Sequence, residues 1–215
     1  NHGADIEHNI IIVGEGGMPA NDRPGSAGDD GSLYGFMTGA ATGHFADYAR
    51  GDARASYADR SIRGSQPAVR AERTALFVKQ GPCPYVVIAD DMQRSAVEND
   101  YHWQWYTHAK SVSGHGTFSE PFLIDGESAI CRLAFHTPTS PEHDFRVVKG
   151  GSSRRPLELG LLRANLKGVR VRYLAVAAAN RHGEPEPRFS RGPEPAGASG
   201  PASIIVEGKG FKDLI

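Results

Sequence analysis

Long hydrophobic runs are missing from these 215 residues. None approaches the roughly 20 apolar residues that a membrane-spanning helix needs, and no basic-then-apolar opening reads as a signal peptide. The first residue is Asn1 and not methionine, so the missing leader does not argue against secretion. An excess of one charge is missing too. Lys and Arg number 24 against 25 Asp and Glu, a net charge of -1, which gives bulk electrostatics no hold on nucleic acid or an anionic membrane. Cysteine is scarce: Cys83 and Cys131 stand alone, with no CxxC pair to suggest zinc or redox chemistry and too few thiols for a disulfide framework. The two could pair in an oxidising compartment, or be one turn thiol and one core thiol, and the unpaired reading is favoured. A Gly-x-Ser-x-Gly elbow is lacking, and Cys83 sits between prolines with no evident base, so nucleophilic catalysis has little support. P-loop and Rossmann glycines, heptads and internal repeats are all absent.

What the chain has instead is Gly 26, Pro 14 and His 9. Glycine and proline at that level, without a period, indicate many turns between short strands. The apolar residues follow a strand period nearly throughout: "NIIIV" (9–13), "RAERTALFVKQ" and "YVVIADDM" around a proline-stiffened "GPCP" turn, then "DYHWQWYTH", "SAICRLAFHT", "DFRVVKG", "GVRVRYLAVAAA" and "ASIIVEG". "LYGFMTGAATGHFADYARGD" reads as one or two strands with glycine breaks. In "SAICRLAFH", Cys131, Leu133 and Phe135 share a face opposite Arg132, Ala134 and His136. Two stretches are expected as long loops: 14–32, of the length that is often functional, and the Pro/Gly/Glu-rich 182–200, which should be solvated and add nothing to a core. The segment 155–166, "RPLELGLLRANL", is the one candidate helix, against which its glycine counts. The expectation is an all-β chain, a single large antiparallel β-sandwich region over 1–215, with ten to fourteen strands in two packed sheets.

Three groups of residues could carry chemistry. His2, Asp5 and His8 precede the first apolar run, and two imidazoles with a carboxylate suit zinc. Three-residue spacing, however, gathers ligands only on a helix, so a frayed terminus is the competing reading for His2 and Asp5. His8 stands at the strand entrance, where an imidazole would be ordered. Strand alternation in "DYHWQWYTH" puts Tyr101, Trp103 and Trp105 on one face, as core. The opposite face receives His102, Gln104, Tyr106 and His108, donors that suit a polyhydroxylated, carboxylated ligand and, in His and Tyr, groups that move protons. A plain surface strand could show the same row. Asp47, Asp52 and Tyr57 might line a cleft or be ordinary strand-and-turn residues.

The same stretches resemble the heparinase II/III-like polysaccharide lyases. "HNIIIVGEGG" is similar to that family's strand of His-Asn, apolar residues and Val-Asp-Gly, with Gly14 where Asp is common. "ADYARGDARASY" is similar to its "GDA…Y" segment. "RAERTALFVKQGPCPYVVIADDM" followed by "YHWQWYTH" repeats its order of an Arg-initiated strand, a turn, a "YVVV-D" strand and an aromatic strand ending in His. The resemblance covers about residues 6–108 by motif order. It implies that the chain is the C-terminal β-sheet portion of such an enzyme, with the family's N-terminal α-toroid absent and carried upstream or on a separate partner chain. It implies β-elimination on a uronic-acid-containing polysaccharide, in glycosaminoglycan or alginate degradation, by a secreted or periplasmic enzyme. His8 matches the imidazole that holds zinc in metal-bearing members, shared with residues outside this chain. The main acid and base would lie upstream, leaving His108 as the catalytic candidate here. Gln104 and Tyr106, by their donor groups, and Arg73, Arg70 or Lys79, by residue type, are the candidate contacts to the anionic polysaccharide. The alternative is a non-catalytic β-sandwich module for carbohydrate binding or structure.

Overall fold

The computed structural model describes residues 11–14, 35–57, 66–109, 111–137, 142–152, 155–193 and 203–215. Fifteen strands fill them: β1 (Ile11–Val13), β2 (Phe36–Thr42), β3 (Ala46–Asp52), β4 (Arg70–Val78), β5 (Tyr85–Gln93), β6 (Asn99–Thr107), β7 (Val112–Ser113), β8 (Phe122–Asp125), β9 (Ala129–His136), β10 (Glu142–Ser152), β11 (Arg155–Gly168), β12 (Val171–Arg181), β13 (Arg188–Arg191), β14 (Ile204–Gly208) and β15 (Phe211–Leu214). The one helical element among the described residues is a 3-10 turn at Arg54–Tyr57. All pairing is antiparallel. The all-β expectation holds, and "GPCP" is the β4–β5 turn, with Val78 opposite Tyr85.

Among the described residues there are three sheets, not two. A central sheet of eight strands, in the order β2-β3-β4-β5-β12-β9-β8-β7, carries a four-stranded sheet, β1-β6-β11-β10, on one face, and a three-stranded sheet, β13-β14-β15, on the other. Sequence in β12 explains how a strand can be covered twice. Val171, Tyr173, Ala175 and Ala177 face the four-stranded sheet, while Val176 and Ala178 face the small one. Alanine at alternate positions keeps both sides of the strand apolar yet thin enough for sheets to pack closely. β9 does the same, with Leu133 and Phe135 in one core and Ala134 in the other. The third sheet corrects the expectation for 182–200: Phe189 on β13 is buried and joins Ile204 and Val206 in the second core. Its short strand was masked in the sequence by flanking Pro and Glu. The sheet is also pinned by a polar bond, Tyr85 hydroxyl to Asp213 Oδ2, 2.8 Å.

The candidate helix at 155–166 is likewise a strand, β11, and the longest one. Gly160 is not a helix breaker there. A Cβ at Gly160 would lie 2.5 Å from the Ala109 carbonyl oxygen and 2.8 Å from the Phe145 ring, so the position is closed to any side chain. The main core lies between β6–β11 and the central sheet, with Trp103, Tyr101, Leu162 and Tyr173 essentially inaccessible. Tyr173 donates to the backbone oxygens of Tyr101 and Ala164 at 3.0 and 3.2 Å, and Tyr57 to that of Ile11 at 2.8 Å, so buried phenols tie neighbouring elements together. Cys83 and Cys131 are free thiols, and burial pushes Cys131 up to about 11. By contrast, β2–β4 form one end of the central sheet, a wing that leaves Phe36, Met37, Phe45 and Phe77 exposed.

At the edge of the main core, His143 on β10 packs on Phe122 (4.8 Å between ring centroids) and Phe135 (5.6 Å). Burial lowers its pKa below the ordinary value and His115 adds to the lowering, against opposition from an Arg163 backbone hydrogen bond and from Asp144. The unfolded chain therefore takes up this proton first. The stability that His143 contributes is complete above the ordinary histidine value of about 6.5 and is lost as pH falls from there through the lower folded value. A thermal-melting series from neutral to mildly acidic pH should show a steeper decline for the wild-type chain than for His143→Gln. Parallel curves would mean that His143 carries none of it.

Candidate functional site

The outward face of the four-stranded sheet gathers the polar row read from the sequence. β6 pairs with β11 so that His102 lies opposite Asn165, Gln104 opposite Arg163 and Tyr106 opposite Leu161, and β10 brings Asp144 opposite Arg163 and Arg146 opposite Leu161. The side chains connect accordingly. His102 Nδ1 lies 2.7 Å from Asn165 Oδ1, and Arg163 Nε donates to Gln104 Oε1 at 3.0 Å. Gln104 is wholly buried, His102 and Tyr106 half-buried. Burial, and then the neighbouring Arg146, lower the pKa of Arg163, while Asp144 and Tyr106 raise it. Two atoms of this face are buried without a hydrogen-bond partner among the described residues: Gln104 Nε2, a donor, and Asp144 Oδ1, an acceptor. Buried polar atoms are nearly always satisfied, so such a pair on one face marks a place made to meet further polar groups.

β6's half of this face is legible in the sequence, and the half on β11 and β10 is not. Arg163 and Asn165 follow Leu161 at a period of two, a strand signal inside the segment expected as the candidate helix. Asp144 and Arg146 alternate in "HDFRVV" in the same way.

The remaining candidates separate. His108 is exposed and lies one residue past the last paired position of β6, Thr107, so it is at the end of the row and outside the ladder. Arg73 lies on the other side, inside the sandwich, where Nε and Nη2 donate to Asp90 Oδ1 and Oδ2 at 2.7 and 3.0 Å. Its side chain remains 32% exposed toward a cavity of about 220 Å³ lined by Ile11, Ser56, Tyr57 and Asp91. Arg70 joins a surface network with Glu72 and Asp91, and Lys79 pairs with Asp47 at 2.8 Å. Asp52 is taken up by Arg54. His2, Asp5 and His8 fall outside the described residues, and within those residues no group of three His, Cys, Asp or Glu side chains could hold a metal.

No family model and no curated protein matches the sequence. Solved structures do match the fold. A heparinase III with methylated lysines superposes on 98% of this chain with a TM-score of 0.67 at 13% identity. The chain has the fold of a heparinase III β-sheet portion. A heparan sulfate lyase from Pedobacter heparinus, in a mutant form, matches 84% of it with a TM-score of 0.62 at 10% identity. The chain spans under a third of these lyases' length, 29% and 27% respectively. The likeness covers the sandwich from end to end, well beyond the motif-bearing 6–108. At these identities it establishes the fold, and the site must be argued from its own residues.

Proposed function

We propose that this chain is the β-sheet portion of a polysaccharide lyase that cleaves uronic-acid-containing polysaccharide by β-elimination, and that the outward face of β6, β11 and β10 is its contribution to the substrate cleft. The observation that carries the reading is the coincidence of two things: a heparinase III fold along 98% of the chain, and a polar face in that fold with an unmet donor and an unmet acceptor. Elimination removes the proton on C5 of a uronate and places negative charge on the adjacent carboxylate, which must be neutralised by positive or hydrogen-bonding groups. Arg163 and the Gln104 amide supply such donors, and Tyr106 and His102 can bond sugar hydroxyls. His108, exposed at the end of the row, exchanges a proton with solvent or with the leaving O4 oxygen in this reading. The main acid and base belong to residues outside this chain, and the exposed wing of β2–β4 is an apolar seat for the part of the enzyme that carries them. Zinc, if this enzyme uses it, would be held through His8 together with ligands outside the chain. Its role would be to fix the first strand, because elimination needs no metal-bound water. The working place of such an enzyme is secreted or periplasmic.

Absorbance of the unsaturated uronate product tests the reading on the assembled enzyme. His108→Ala should lower turnover about tenfold or more while the melting temperature stays put, and a wild-type rate would remove His108 from the cleft. The isolated chain should show no turnover. His8→Ala should release bound zinc, read as metal content of the purified protein, and unchanged content would dismiss His8 as a ligand. The second reading, a carbohydrate-binding module without catalysis, is favoured by the commitment of Gln104 to Arg163 and His102 to Asn165. It predicts polysaccharide binding by this chain with no enzyme of which it is an essential part.

A further inference from the structure

Away from that face, a cavity of about 470 Å³ opens where the central sheet's edge meets both outer sheets. Three imidazoles reach it from three elements: His115 from the β7–β8 loop, His136 from the end of β9 and His143 from β10. Arg191 on β13 is a fourth basic group. Hydroxyls of Thr117, Ser119 and Ser190 line the gaps, and no acidic side chain lines the cavity among the described residues. The wall is built, not incidental. Gly114 and Gly116 adopt φ of 90° and 71°, and a Cβ at either would lie 2.1 Å from Pro121 O or from the Phe122 ring. Both are therefore confined to glycine, which sets the loop. Backbone bonds then lock it: His115 and Thr117 N–H to Glu120 O, both 3.1 Å, and Phe135 N–H to Gly116 O, 2.8 Å. Phe118, held against His136 at 5.3 Å and Phe189 at 6.5 Å, forms a ridge between this cavity and a second one of about 610 Å³ that Arg188 and Arg132 line.

Basic groups from four elements around hydroxyls fit an anion, and the imidazoles do not assemble a metal site with any third ligand among the described residues. We infer that this cavity binds a sulfate or carboxylate group, carried on an acidic saccharide whose ring packs on Phe118. Aromatic faces receive the apolar faces of sugars, and hydroxyls and imidazoles receive the acid group. The inference stands apart from the lyase reading, since a binding module with this fold would have the same cavity. The other charged groups near the imidazoles are Glu120, 3.5 Å from His115, Asp144 beside His143, and Arg191.

Imidazole nitrogen spectra of the whole chain, with resonances assigned by single His→Gln variants, test this. The probes are sodium sulfate, sodium glucuronate and a sulfated, uronate-containing disaccharide. Saturable shifts of the His115, His136 and His143 signals are expected, tightest with the disaccharide. If sulfate alone binds as tightly, the site is one for the same acid group as a free oxyanion. Arg191→Gln, at an exposed position of β13, should weaken binding about tenfold, as loss of a charged hydrogen bond does. Lys167→Gln, at an exposed residue that lines neither cavity, should leave it unchanged. Absence of shifts with all three probes overturns the inference, and so do shifts that Arg191→Gln leaves intact.

Discussion

Asp90→Ala should be the most damaging single change in the chain, costing about 3–5 kcal/mol of stability. Asp90 is 4% exposed on β5 and faces the main core. Its two oxygens take the Arg73 guanidinium from β4, and Oδ2 also accepts the indole N–H of Trp103, 2.8 Å away on β6. One carboxylate thus joins the central sheet to the four-stranded sheet through the largest buried side chain in the core. Burial works against the Arg73 charge, but Asp90, by charge and by hydrogen bond, overcomes it and raises the pKa of that guanidinium. Removing the carboxylate leaves a partly buried cation without its counter-ion and a buried N–H without an acceptor. Melting should fall by roughly 6–20 °C for a domain of this size. The double change Arg73→Met with Asp90→Leu should recover much of the loss, because apolar residues of similar volume often replace a buried pair at little cost. Equal melting of Asp90→Ala and wild type would show that Trp103 packing alone holds the sheets together.

That cross-sheet clamp was not legible in the sequence, although each member was visible. Strand alternation places Trp103 in a core and marks "YVVIADDM" as a strand, but residue type alone says nothing of what Arg73 faces. Period-two patterning assigns a face and gives no information about which strand lies across from it. Only the register of β4 on β5, with Arg73 opposite Asp90, brings the pair together. The third sheet escaped for a related reason. β13 has four residues, and Phe189 is its one buried side chain. A single aromatic among Pro, Glu and Arg carries no period. Strands covered on both faces, such as β12, show a continuous small-residue run that looks the same whether one or two sheets pack on it.

The candidate site was half legible for the same physical reason. One strand supplies His102, Gln104 and Tyr106 at alternate positions, and that periodicity can be read in nine residues. The partners come from β11 and β10, some 60 and 40 positions later, and no local pattern reports such pairing. Gly160 counts against a helix at β11 without by itself pointing to a strand. In a helix it would be a defect; in this strand the approach of Ala109 and Phe145 requires it.

The functional consequence is sharpest at Arg163, whose removal should weaken binding of a sulfated uronate polysaccharide about 10–100-fold. A charge-assisted hydrogen bond contributes about 1.5–3 kcal/mol, and this guanidinium bonds Gln104 and lies opposite Asp144, the two residues whose atoms lack partners among the described residues. Arg163→Lys keeps the charge but gives up the planar fork, so it should retain part of the affinity and lose selectivity for carboxylate and sulfate. Arg163→Met removes both, and it also leaves Gln104 Oε1 buried without its donor, a cost of about 1–3 kcal/mol to the fold. Pairing it with Gln104→Leu separates the two effects: the double variant should regain stability and still fail to bind. Titration in rising salt gives a further check, because an ionic contact at a half-open face weakens as counter-ions screen it, and the slope should flatten in Arg163→Met. Wild-type affinity in the Met variant would move the polysaccharide off this face altogether. The heparinase III fold would remain, with its polar row reduced to a solvated strand and the binding function shifted to another surface.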